Sequence, residues 1–261
     1  MPRPDPDKMS FLEHLDELRV RLVRSVIALA VGFAVCWNFH EQIFHVLTQP
    51  LRVHDPNVKF IYTGPSEALM LYMKMSFFTG IFVAAPYLLY QVWAFIAPGL
   101  YKHEKAYAAP FILMGTFFFI GGAVFGHVYL FPITFGFLGQ FGGQDMQFLP
   151  KIDEYWSFYS WFLLGLGVVF QLPVLIFILS RIGLVTPGFL MRQIKWAVLG
   201  SFIGAAILTP TPDMVTQTLL ALPMIGLYLL GVLVAWLFGR PRRKAAPEAL
   251  SVESGTAGSS R

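Results

Sequence analysis

QVWAFIAPGLYKHEKA, Gln91 to Ala106, is a long apolar run that breaks at Pro98-Gly99. It then presents Tyr101-Lys102-His103-Glu104-Lys105 and turns apolar again at once. Two apolar runs of membrane length with so short a polar link read as two helices returning across a bilayer. Within that link a single carboxylate, Glu104, stands among bases.

Composition agrees. The 261 residues are 56% hydrophobic and only 13% charged, with mean hydropathy +0.62, whereas soluble chains are about a quarter charged. The 26 phenylalanines exceed what a water-facing surface accommodates. A net charge of +4 could suggest nucleic acid, but the bases bracket apolar segments and do not cluster with exposed aromatics. The one cysteine, Cys36, lies inside an apolar run, which excludes a disulfide framework and a cysteine metal site.

A spanning helix needs about 20 apolar residues. Six segments meet or approach this, near 22–44, 68–97, 106–131, 155–179, 187–208 and 212–238. The expectation is an all-α integral membrane protein with a six-helix domain over 22–239. Residues 1–21 form a cytoplasmic segment, and residues 240–261 a disordered cytoplasmic tail rich in Ala, Ser and Gly. Arg19, Arg21 and Arg24 before the first segment resemble a secretion signal, but five further spans favour an uncleaved anchor. Gly64-Pro65, Asp153, Thr186-Pro187 and Thr211-Pro212-Asp213 are start signals for later helices. Pro86, Pro173 and Pro223 fall inside segments and favour kinks. The apolar part of the fifth segment, Ile194–Leu208, rises only about 22 Å, short of a ~30 Å core.

Lys and Arg set the orientation. With both termini in the cytoplasm, Arg3, Lys8, Arg19, Arg21, Arg24, Lys102, Lys105, Arg181, Arg192, Lys195 and the cluster at 240–244 all lie inside. Only Arg52, Lys59 and Lys151 lie outside, and that asymmetry predicts N-in and C-in topology. Phe11–Leu22 reads as an amphipathic helix running into the first span. Leu12, Leu15, Leu18 and Leu22 share one face, while Glu13, Asp16, Glu17 and Arg19 turn away.

Few patterns carry chemistry. His40-Glu41 and His45 miss the zinc-protease spacing by one residue, no Gly-Lys dipeptide offers a phosphate loop, and no G-x-S-x-G occurs. No catalytic residue, metal site or cofactor is expected. Gly122–Gly126 and Gly200–Gly204 have helix-packing spacing. Lys74 lies two turns beyond Glu67 on one face. It either pairs with Glu67 through neighbours or water, or snorkels to the outer interface. Gln171, inside the fourth segment, is placed to hydrogen-bond across helices. Thr209, Asp213, Thr216 and Gln217 form a polar patch at the turn into the sixth.

HLDELRVRL (His14–Leu22) and YQVWAFIAPGLYKHE (Tyr90–Glu104) resemble TatC, the core receptor subunit of the twin-arginine protein translocase. FPITFGF (Phe131–Phe137), LTPTPD (Leu208–Asp213) and QTLLALPM (Gln217–Met224) agree in order and spacing, over roughly residues 10–240. The resemblance implies six helices in a concave, glove-like arrangement in a bacterial-type inner membrane. It implies a non-enzymatic receptor and channel-forming component that exports folded proteins with the proton-motive force. Family residues that recognise twin-arginine signal peptides match Glu17 and Glu104, with Arg19, Phe95, Tyr101 and Lys102 beside them. Guanidinium presents a rigid fork that a carboxylate accepts, and lysine cannot reproduce it. Partner helices of the TatA and TatB type would dock at Thr209, Asp213, Met214 and Gln217, and Pro50 matches a proline of the first outer loop. Self-association is implied as well. Gln171 stands where many relatives carry glutamate, which speaks against a proton-carrying carboxylate there. The alternative class is a secondary transporter of a small solute, with Lys74 and Gln171 as its mid-membrane site.

Overall fold

The computed structural model describes residues 11–52, 60–96, 108–140, 151–209 and 213–238. The regular structure among these residues is entirely helical, joined by turns and short extended stretches, with one isolated bridge between Ile61 and Lys151. Five stretches are long and apolar enough to cross a membrane: His14–Trp37, Glu67–Phe95, Ala109–Gly139, Ile152–Arg181 and Met214–Phe238. Ile194–Leu208 is a shorter apolar helix.

Helix α1 runs without interruption from Phe11 to Trp37, so the amphipathic start and the first span are one element. It stops earlier than the apolar run suggests. Asn38 and Phe39 turn the chain, and α2 (His40–Leu47) and α3 (Gln49–Arg52) follow, with Pro50 buried in α3. Helix α4 spans Glu67–Ile96 and passes through Pro86 without a break.

The two prolines that do interrupt spans, Pro132 and Pro173, act differently. The third span is α5 (Ala108–Phe125), a π turn over Gly126–Leu130, and α6 (Phe131–Gly139). Pro132 has no N–H, and its ring would crowd the carbonyl four residues back, which the wider π turn relieves. The fourth span divides into α7 (Ile152–Val169) and α8 (Leu172–Arg181). Pro173 cannot donate to the carbonyl of Val169, so the ladder breaks at Phe170 and Gln171.

The fifth segment also divides, at Gln193, into α9 (Pro187–Arg192) and α10 (Ile194–Leu208). Thr186 caps α9 by accepting the Phe189 N–H at 3.3 Å. Helix α11 (Met214–Phe238) continues through Pro223.

Packing between α1 and α4 depends on glycine. A Cβ on Gly32 would sit 2.7 Å from the carbonyl oxygen of Gly80, and one on Gly80 would sit 2.8 Å from the Phe33 nitrogen. The two backbones touch, as small-residue contacts permit where lipid removes the hydrophobic drive for helix association. Gly122 and Gly126 likewise admit Phe170 and Leu166. The Gly200–Gly204 pair does not act as a unit: Gly204 receives Met224, whereas Gly200 faces open space.

The core is aromatic. Phe131, Tyr159 and Phe162 are fully buried, and Phe131 contacts the rings of Phe135, Tyr155, Phe158, Tyr159 and Phe162. Their polar tips are satisfied. Tyr155 donates its hydroxyl to the Leu47 carbonyl at 3.0 Å, and the Tyr159 hydroxyl lies 2.8 Å from His127 Nδ1. This cluster fixes α2, α4, α6 and α7 at the end of the bundle opposite the start of α1, leaving that start to be held by α4.

Candidate functional site

At the start of α1, Glu17 and Arg21 lie one turn apart on one face, the spacing at which side chains meet. Arg21 Nη2 donates to Glu17 Oε1 at 3.1 Å, and Arg21 Nη1 donates to Gln91 Oε1 of α4 at 3.2 Å. Gln91 is only 2% exposed, so the bridge has a fixed anchor. One turn before Glu17, His14 stacks on Phe95 of α4, ring centroids 4.5 Å apart.

These contacts share one antiparallel register with the glycine crossing. Arg21 and Gly32 are eleven positions apart on α1, as are Gln91 and Gly80 on α4 (21 to 32, 80 to 91). The crossing therefore sets where Gln91 meets Arg21, about 16 Å along the helices.

The carboxylate is half satisfied. Glu17 Oε2 is buried and, among the described residues, has no hydrogen-bond partner. A buried carboxylate oxygen without a donor is costly, and a cationic donor arriving there gains a charge-assisted hydrogen bond. The chemistry offered is recognition of a cation. Among the described residues no group of His, Cys, Asp and Glu could hold a metal.

The other expected site residues lie as follows. Arg19 is exposed. Tyr101, Lys102 and Glu104 lie outside the described residues, as does the stretch that links α4 to α5. Thr209 is buried with its hydroxyl on the Ala205 carbonyl at 2.9 Å, within its own helix. Gln217 Nε2 donates to the Phe202 carbonyl at 2.9 Å, which ties α11 to α10. Asp213 caps α11 through the Thr216 N–H at 2.7 Å and also accepts the Thr216 hydroxyl. Met214 is 83% exposed.

Lys74 pairs with neither Glu67 nor solvent alone: its Nζ lies 2.6 Å from Asp153 Oδ1 of α7. Glu67 instead accepts the Thr63 N–H at 2.7 Å and the Thr63 hydroxyl at 2.9 Å. Asp153 correspondingly makes no cap for α7, whose N-cap position is Lys151. Gln171 donates across helices to the Gly115 carbonyl at 2.9 Å. The residues that sequence reading missed are Arg21, Gln91 and His14. The four-residue step from Glu17 to Arg21 was a usable signal, but a partner seventy positions away in α4 had none.

The family model described as Sec-independent protein translocase protein (TatC) matches residues 13–223. The chain is 42% identical over 253 residues to the Sec-independent protein translocase protein TatC of Koribacter versatilis (strain Ellin345), covering 95% of this chain and 92% of that one. It is 42% identical over 246 residues to the same-named protein of Desulforapulum autotrophicum, covering 94% and 91%. A crystal structure of the twin-arginine translocase receptor TatC superposes with a TM-score of 0.75 at 33% identity, covering 87% of this chain and 100% of that chain. With this agreement in sequence and helical arrangement, the chain belongs to the TatC family: it is a multi-pass, six-helix membrane protein and a core component of the twin-arginine, Sec-independent protein translocase.

Proposed function

We propose that this chain is the signal-peptide receptor of its translocase and that Glu17 and Glu104 receive the two arginines of the signal. The observation that carries this is the Glu17 carboxylate, held at one oxygen by Arg21 and, at the other, buried without a hydrogen-bond partner among the described residues. The Phe95–His14 stack beside it offers an aromatic surface to residues flanking the arginines. Arg19, Tyr101 and Lys102 also take part in signal binding on this reading. On the same reading this end of the bundle and both termini face the cytoplasm across a bacterial-type inner membrane, a topology that the Lys and Arg distribution supports.

Partner helices of the TatA and TatB type dock along α10 and α11 on this reading. Helix α10 has only 15 residues, so the bilayer must thin beside it or a partner must cover the mismatch. The exposed Met214 and the Gln217 bridge between the two helices mark that edge. Lacking a phosphate-binding loop, the protein draws on the proton-motive force and performs transport, not catalysis. A small-solute transporter would need Lys74 and Gln171 in one site, yet each is committed to its own partner, Asp153 and Gly115 respectively.

The test is capture of the detergent-solubilised full-length protein by immobilised signal peptides carrying Arg-Arg or Lys-Lys. Retention on Arg-Arg and not on Lys-Lys is expected; equal indifference to both would point to a transporter. Gln171→Leu removes one interhelical hydrogen bond worth about 1 kcal/mol. Its expected phenotype is a modestly lower unfolding temperature with undiminished signal capture. Lost capture would place Gln171 in the docking site itself.

A further inference from the structure

We propose that Arg21 sets the selectivity of the Glu17 site for arginine over lysine, by occupying one carboxylate oxygen and leaving as acceptor the other, which has no partner among the described residues. The inference rests on the receptor reading above and adds a residue to it.

Arg21 spends one guanidinium nitrogen on Glu17 Oε1 and another on Gln91. Because Gln91 is buried in α4, Arg21 cannot swing away without giving up a bond at both ends. The pair Glu17–Arg21 carries no net charge, so it exerts little long-range pull on a further cation. What remains is the buried Oε2, a short-range and directional acceptor.

That arrangement treats the two basic side chains differently. An ammonium is compact and strongly hydrated, and it must shed water beside an existing positive charge to reach one oxygen. A guanidinium is weakly hydrated and presents several donors in a rigid plane, so it loses less on entering and aligns one donor on Oε2. Without Arg21, both oxygens of Glu17 would be open and the local charge negative. Any cation would then be attracted, and geometry would matter less. Arg21 thus removes the indiscriminate part of the attraction.

The test compares binding of fluorescent Arg-Arg and Lys-Lys signal peptides to the full-length protein in detergent, for wild type, Arg21→Gln, Arg21→Lys, Gln91→Leu and Glu17→Ala. In Arg21→Gln the Lys-Lys peptide is expected to bind about tenfold tighter, as removal of a neighbouring like charge allows, and the Arg/Lys ratio contracts. Arg21→Lys, which keeps a charge and a donor for Oε1, is expected to keep the ratio near that of wild type. Gln91→Leu, which frees Arg21 from α4, contracts the ratio partially and serves if Arg21→Gln does not fold.

An unchanged ratio in Arg21→Gln or Gln91→Leu overturns the proposal, whether affinities hold or fall together; a common fall means that Arg21 only positions Glu17. Failure of the receptor reading looks different. In that case Glu17→Ala binds the Arg-Arg peptide as wild type does, or wild type itself makes no distinction between the peptides.

Discussion

A Glu17→Ala, Glu104→Ala double variant is expected to lose crosslinking to a twin-arginine signal by more than about 100-fold. The size follows from two charge-assisted hydrogen bonds at about 1.5–3 kcal/mol each. Glu17→Ala alone should account for about tenfold or more of this, because its Oε2, without a partner among the described residues, is the acceptor that arginine would take. Truncation removes that oxygen while Arg21 retains its bond to Gln91, so the join between α1 and α4 keeps one of its polar contacts. Asp16 is the control. It neighbours Glu17 on α1 but is exposed, and Asp16→Ala should leave crosslinking within about twofold, as surface charges do. Undiminished crosslinking in the double variant would sink the receptor site.

Gly80→Val is expected to destabilise the protein by about 3 kcal/mol or more, the upper range for overpacking a tight contact. An added Cβ at Gly80 meets the Phe33 nitrogen at 2.8 Å and the Gly32 carbonyl carbon at 2.9 Å. Both are backbone atoms, so no rotamer change relieves the clash and α1 must move off α4. The Arg21–Gln91 bridge lies in the same register, so a shifted α1 also misplaces Glu17. Thermal unfolding in detergent should fall sharply, and signal capture should fall with it. Gly121→Ala is the matched control: an added Cβ there meets nothing within 4 Å. It should hold or raise stability by up to about 1 kcal/mol through helix propensity. Equal unfolding temperatures for Gly80→Val and wild type would mean that the crossing is looser than its geometry implies.

Much of the architecture was legible because membranes impose few choices. Apolar run length and proline position located the spans, and the short apolar stretch Ile194–Leu208 was visible as such. Glu104 stood out as a single acid among bases and Gln171 as an amide in an apolar segment that needs a partner, whereas Glu17, one of three acids on a polar helix face, was singled out by the resemblance to TatC. What could not be read was the identity of those partners. Lys74 had a plausible acid two turns away, but Glu67 is consumed locally by Thr63 and the real partner, Asp153, comes from α7. Gly200 and Gly204 had the spacing of a packing pair, yet only one of them faces a neighbouring side chain.

The stretch from Gln91 to Ala106 shows where the division falls. Its composition alone predicts that one apolar helix gives way to another, since apolar segments in lipid must satisfy their backbone internally, and the described residues on either side, up to Ile96 and from Ala108, are helical. It also exposed Glu104 as an acid without local reason. That Gln91, at the head of the stretch, is the anchor for Arg21 and through it for Glu17 was decided by the α1–α4 crossing. Periodicity assigns a residue to a face of its own helix. Which face of another helix it meets depends on where two backbones come close enough to touch, and here Gly32 and Gly80 set that point.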